Sequence, residues 1–189
     1  ISINGKKMIA YSEQPLKEVL EALKKNEGEN FQLILVNESK LELDIDLKEY
    51  PFVKTASWSG LTRAVGFNKA IKEFGGDFFA PLPPEIIPHP EFIEMYRAAF
   101  DSETAMVFSD YILKEGAVES KIELFPWEGQ VEERFDFGFL KMFSVEKMKE
   151  IGFFDETLEI MEEYDLWLKL TDKNKIKKVD SAVYTALKR

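Results

Sequence analysis

The sequence predicts an α/β domain, and three patterns carry that expectation. Lys7 to Ala10 is a short apolar strand candidate, and Pro15 opens a helix with Leu16, Val19, Leu20 and Leu23 at helical spacing. Phe31 to Val36 then reads as a buried strand, which completes a β-α-β unit. A second strand and helix follow: Phe52 to Ala56, then a helical face of Leu61, Ala64, Val65, Asn68, Ile71 and Phe74. Further on, Ala105 to Leu113 and Ser120 to Phe125 flank the turn Lys114-Glu115-Gly116, the pattern of a hairpin. At 189 residues the chain fits one domain, 1–189, long enough to bury a real core.

Local chemistry sets the boundaries. Gly28 and Asn30 break the first helix. Tyr11-Ser12-Glu13 and Asn37-Glu38-Ser39 follow the first two strands, at the edge of an open α/β sheet where ligands bind. On the residues alone, Asn37 to Lys40 is a polar turn. Leu41 to Leu47 alternates strictly, as a strand with one wet face or an extended surface segment would. Ser57-Trp58-Ser59-Gly60 turns the chain into the second helix. Pro90 starts a helix through Phe100. Trp127 to Phe137, with Glu128, Glu132, Glu133 and Asp136, is polar, aromatic and irregular, and reads as a mobile loop over a site. Gly138 to Phe143 is strand-like, and Ser144 caps a short helix through Ile151.

Glu150 to Leu170 organises the remainder. Gly152 and Asp155 punctuate a turn, and Tyr164, Trp167, Leu168 and Leu170 then supply most of a buried helical stripe. Glu162, Glu163 and Asp165 enter near the helix start, where acids meet the positive end of the dipole. Taken alone, a stabilised N-terminus is the plainer reading. The sharper one is a carboxylate pair held rigidly at the mouth of a site. Lys175 to Val179 and Ala182 to Ala186 are two short closing strands.

Composition narrows the function classes. The formal net charge of -10, without a basic run, disfavours a nucleic-acid partner, whose phosphates demand a positive stripe. A phosphate-bearing ligand would need local Lys and Arg or a bound divalent cation. With no cysteine there is no disulfide, thiol nucleophile or cysteine metal site. No apolar run approaches a membrane span and no signal peptide is evident, so a cytoplasmic location is expected. Ile1 in place of Met reads as a processed, trimmed or excised chain. His89, between Pro88 and Pro90 and without a cluster, is expected to be ordinary surface.

Ile151-Gly-Phe-Phe-Asp-Glu156, a short spacer and Glu162-Glu-Tyr-Asp-Leu-Trp-Leu-Lys-Leu170 closely resemble the signature of family 2 glycosyltransferases, Gly-Gly-Phe-Asp-Glu followed by Glu-Asp-Tyr-Asp-Leu-Trp-Leu-Arg-Leu. In that family the second acid of the pair is the catalytic base, which implies Glu163. The resemblance extends more loosely to the first two strand ends, which in the family hold the base and ribose of a nucleotide. It implies Tyr11, Glu13, Asn37 and Glu38 there, with the usual Asp absent. Gly60, Ala64 and Asn68 match the family's Asn-x-Gly turn and donor-side helix, with a longer Gly-to-Asn spacing and Ala70 in place of a glycine. Arg63 would lie near a diphosphate. Lys69 and Lys72 fit a solvated helix face.

Gly75 to Leu82 matches the strand leading to the family's metal-binding Asp-x-Asp, and here the motif reads Pro83-Pro84-Glu85. The first carboxylate is lost and Glu85 stands for the second. A divalent cation, Mg or Mn, would thus be held by Glu85 with water and phosphate, or be replaced by cations such as Arg63. Many family members continue past the position of Arg189 into acceptor-binding or membrane-associating segments. The resemblance implies a GT-A fold, a mostly parallel central sheet flanked by helices with a smaller antiparallel portion. It also implies an inverting glycosyltransferase that takes a nucleotide-sugar donor and a glycan, lipid or protein acceptor. The alternative is a catalytically degenerate member of the fold acting as a binding or interaction module, with Pro83 as its chief support. A sugar-phosphate nucleotidyltransferase fits less well, because Ile1 to Gln14 lacks a Gly-rich basic loop.

Overall fold

A computed structural model describes residues 2–3, 14–26, 30–37, 45–83, 85–124 and 137–188. The expected strand at Lys7 to Ala10, the site residues Tyr11, Glu13 and Glu38, and nearly all of the loop expected at Trp127 to Phe137 lie outside them.

Strand β1 (Ser2–Ile3), helix α1 (Gln14–Lys24), strand β2 (Leu33–Asn37) and strand β3 (Val53–Ala56) open the chain. The three strands form a parallel sheet in the order β1-β2-β3. Val19, Leu20 and Leu23 are buried, the apolar stripe that the helical spacing called for. Of the stretch expected as a strand with one wet face or an extended surface segment, Leu41 to Asp44 lies outside the described residues, and Ile45 to Leu47 is in no strand. Asp46 instead caps a 3-10 turn, Leu47–Glu49, by accepting from the Lys48 N–H at 3.0 Å. A local side-chain bond of this kind competes with strand pairing.

Helix α2 (Arg63–Phe74) begins where Thr62 accepts from the Val65 N–H, and it buries Ala64, Asn68 and Ile71. Strands β4 (Phe78–Phe79) and β5 (Ile86–Pro88), helix α3 (Phe92–Ala99), strands β6 (Thr104–Glu115), β7 (Val118–Ile122) and β8 (Lys141–Ser144), helices α4 (Val145–Glu150) and α5 (Glu162–Thr171) and strand β9 (Lys175–Lys188) complete the order. The second sheet has six strands in the order β4-β8-β6-β9-β5, with β7 beside β6. Its central strand β6 is buried without a break from Thr104 to Tyr111, as a strand covered on both faces must be.

The expectation of a mostly parallel central sheet is corrected here: the sheet is mixed. In the six-stranded sheet only β6 and β9 run parallel, while β4–β8, β6–β8, β6–β7 and β5–β9 are antiparallel. Parallel pairing needs a long crossover, and between β6 and β9 the chain supplies one that carries α4 and α5. The short turn at Gly116 returns β7 antiparallel instead. The two closing strands expected after Lys175 are one strand, with a register shift where Val179 faces Ser109 and Ala182 faces Asp110. Strand β5 was not foreseen, because its Pro88 argues against a strand interior. It survives on an edge, bonded among the described strands only to β9.

Next to Tyr184 of β9, Gly138 leaves no room for a side chain. Its φ is +66°, and an added Cβ would lie 2.3 Å from Tyr184 Oη and 3.1 Å from Leu124 Cδ1. Tyr184 is fully buried, and its hydroxyl accepts from the Phe139 N–H at 2.8 Å. Gly138→Ala is expected to lower unfolding free energy by about 2–4 kcal/mol, through strain at φ and displacement of Tyr184. A urea titration checks this, and a loss below ~0.5 kcal/mol would mean that the loop shifts freely. Among the described residues, no helix is long and apolar enough to cross a membrane.

Candidate active site

Helix α5 carries the acid pair into the structure because its far face is anchored. Leu166, Trp167 and Leu170 are buried, each worth about 1.5–3 kcal/mol relative to exposure. Trp167 meets the Phe137 ring edge-on at 4.8 Å, and Phe137 meets Phe108 of β6 at 5.1 Å. The chain enters α5 through Met161 in a left-handed conformation, φ 65°, which is uncommon for a residue with a long side chain. That entry leaves Glu162 buried and Glu163 half-buried at the helix start.

Two cations from separate elements converge on these acids. Arg63, the first residue of α2, places one guanidinium nitrogen 2.6 Å from Glu163 Oε1 and another 3.2 Å from Glu162 Oε1. Lys141, the first residue of β8, lies 2.9 Å from Glu163 Oε2. Its ammonium also donates to the Gly138 carbonyl at 3.0 Å and sits 4.7 Å from the centre of the Trp167 ring. The two cations differ in freedom. The Lys141 side chain is 5% exposed, whereas that of Arg63 is 50% exposed and rests near the Phe67 ring.

The Glu163 carboxyl feels opposed effects. Burial pushes its pKa up, but Lys141 and then Arg63 outweigh that and hold it below the ordinary glutamate range. A carboxyl with a lowered folded pKa stabilises the fold above its unfolded value, near pH 4.3 for glutamate, and that contribution fades as pH falls through the folded value. Acid unfolding followed from pH 6 down to pH 2 is therefore expected to lose less stability in Glu163→Gln than in the unaltered chain. Identical slopes would show that the two cations do not hold the carboxylate ionised.

Asn68 ties the Gly152–Asp155 turn to α2. Its side-chain amide donates to the Phe154 carbonyl and to Glu156 Oε1, both at 2.9 Å, and its oxygen accepts from the Phe154 N–H at 3.1 Å. It is buried, so in this structure it reads as a brace between α2 and that turn. Gly60 precedes α2 with φ +70°, a conformation that glycine adopts at no cost, and it is exposed. Asn37 ends β2. Arg63 and Glu163 are thus brought together, with Asn68 one turn or so along α2.

Glu85 directly precedes β5, and its backbone carbonyl accepts from the Leu187 N–H of β9 at 2.9 Å. Among the described residues, the donor set here does not fit a tightly held divalent cation. Pro83 offers no ligand, and among the described residues no three His, Asp or Glu side chains gather as one would need. His89 faces β9, bonding to the Ala182 carbonyl and Thr185 Oγ1.

Sequence reasoning missed two residues. Lys141 is the lone charge within Phe139-Leu-Lys-Met-Phe143, and that interruption of an apolar strand was the available signal. Asp110 is buried on β6, paired with Lys178 at 2.8 Å and accepting from the Leu124 N–H at 2.8 Å, and so fixes the chain just before residue 125. A depression of about 680 Å³ between α3, α4 and β4, lined by Asp77, Glu94, Arg97 and Asp101 among others, contains none of the expected site residues.

Comparison with known proteins bears on the fold. The structure is similar to that of S. aureus TarS, residues 1–349, a glycosyltransferase. The TM-score is 0.69 at 16% sequence identity. The match covers 94% of this chain and 58% of that one, so the chain spans little more than half of the related structure. No family model matches the sequence, and no curated protein does. The fold is accordingly glycosyltransferase-like.

Proposed function

We propose that this chain is a glycosyltransferase that moves a sugar from a nucleoside-diphosphate donor to an acceptor hydroxyl, with inversion. The observation that carries the reading is Glu163, presented at the start of α5 with Arg63 and Lys141 on its two oxygens. In the reaction, the acceptor oxygen attacks the anomeric carbon as the bond to the diphosphate breaks. Glu163 takes the hydroxyl proton, and the nucleoside diphosphate leaves with the bonding electrons. Arg63 supplies positive charge where that leaving group develops negative charge, the role a preorganised cation performs in such sites. Glu162 fixes the helix start and the guanidinium. Lys141 holds the carboxylate in one orientation. Tyr11, Glu13, Asn37, Glu38 and Gly60 are assigned to the nucleotide side. Glu85 remains the residue for any cation, with no step of the reaction assigned to a metal.

A second reading, a binding module without turnover, is favoured by Pro83 at the lost carboxylate position and by the low basicity of a doubly paired Glu163. The test is a turnover assay of the 1–189 chain with uridine-, guanosine- and thymidine-diphosphate sugars and a mixture of glycan, lipid and peptide acceptors. Release of nucleoside diphosphate coupled to acceptor modification is expected. Donor binding without any release supports the module.

A further inference from the structure

The acid pair is compensated unevenly. Glu163 has a separate cation for each oxygen, Arg63 at 2.6 Å from Oε1 and Lys141 at 2.9 Å from Oε2. Glu162 is 3% exposed, and among the described residues its ion pair comes from Arg63 alone, with Oε1 lacking any hydrogen-bond donor. Removing a cation from a buried acid is costly when no other replaces it, and much less so when a second one remains. The Arg63 guanidinium can therefore leave Glu163, which keeps Lys141, more cheaply than it can leave Glu162. It also has the freedom to do so, with half of its side chain in solvent.

We infer that Arg63 is a donor-responsive latch: it covers Glu163 Oε1 in the free chain, and a nucleoside diphosphate draws it aside while it stays pivoted on Glu162. This rests on the reading of the site as a donor site, and it adds a regulation and a charge source. The guanidinium presents several donors in one plane and can stay ion-paired with Glu162 while turning those donors to phosphate oxygens. The guanidinium then meets the negative charge of the two phosphates, a charge that a divalent cation would otherwise neutralise. The same movement uncovers Glu163 Oε1, so the base becomes free only once the donor is bound. Lys141 does not move with it, because Gly138 and Trp167 hold its ammonium. Proton acceptance without a donor in place is thereby suppressed. Arg63 is in this respect a positioning residue for Glu163 as well as a ligand.

Competition for one guanidinium gives a test that needs no acceptor. Uridine, guanosine and thymidine diphosphates are titrated calorimetrically into the 1–189 chain in EDTA, and the one that binds is carried forward. Glu163→Gln removes the charge that competes for Arg63, while its amide oxygen can still accept from Lys141. It should bind that nucleotide about tenfold more tightly than the unaltered chain. Arg63→Ala should weaken binding at least tenfold. In that background, adding Glu163→Gln should change affinity less than twofold, because the gain acts through Arg63. If Arg63→Ala does not fold, the single Glu163→Gln measurement still decides, with Arg63→Lys as the second background. Unchanged or weaker binding by Glu163→Gln overturns the latch, as does an equal gain with and without Arg63. Binding that appears only with Mn²⁺ overturns the metal-free role. No binding by any nucleotide to the folded chain overturns the donor-site reading itself and the latch with it.

Discussion

Glu163→Gln is expected to lower sugar transfer by about 10²–10⁴-fold, the range ascribed to loss of a positioned general base. The amide matches the carboxylate in shape but cannot take the acceptor's proton. Its oxygen can still accept from Lys141, so the helix start and β8 keep their contact. Cooperative unfolding should therefore persist, and the loss should appear in turnover rather than in the amount of folded protein. The measurement is initial-rate transfer for both chains at matched folded concentration, with a urea titration beside it. Turnover within threefold of the unaltered chain removes Glu163 as the base, whatever the state of Arg63. The same substitution tightens nucleotide binding under the latch, so rate and affinity are expected to move in opposite directions. A merely damaged site would lose both.

Asn68→Ala is expected to cost about 2–4 kcal/mol of stability and to loosen the Gly152–Asp155 turn. The truncation strands the Phe154 N–H and carbonyl, both of which meet the Asn68 side chain within the core. Each buried polar group left without a partner costs roughly 1–3 kcal/mol. The turn is already strained, with Phe153 at φ 67°, and Phe154 packs against Phe67 and Phe79. Release of the brace should therefore raise hydrogen exchange at the Phe154 amide well beyond what global destabilisation explains. A urea midpoint shift worth less than ~0.5 kcal/mol, with unchanged exchange there, would mean that the packing of Phe154 alone holds the turn.

Much of the architecture was legible because periodicity reports burial. The stripe of Val19, Leu20 and Leu23, the Ser144 cap and the Gly116 hairpin are local signals, and each formed as local chemistry requires. Sheet direction was not legible in this way. Whether a strand lies parallel or antiparallel depends on where its crossover lands, and β5 shows that even strand existence can be decided by a distant partner, here β9. In the site, the acid pair stood out through its spacing from Gly152 and Trp167. Arg63 stood out as a cation, with its placement beside a diphosphate rather than the acids. Its pairing with residue 163, a hundred positions away, is a tertiary fact. Lys141 was hidden for the same reason, since a lysine's role in a buried strand depends on what lies across the sheet. Asn68 illustrates the converse. Its position in the pattern was recognised, whereas its use as a brace emerges only from the backbone of Phe154.

The most direct test of the donor site at Glu163 and Arg63 is calorimetric titration of the 1–189 chain with uridine, guanosine and thymidine diphosphates. Circular dichroism and cooperative unfolding establish beforehand that the sample is folded. Saturable binding of at least one nucleotide, weakened at least tenfold by Arg63→Ala, is the expected result. Absence of heat for all three with the folded chain, with and without Mn²⁺, would contradict the account.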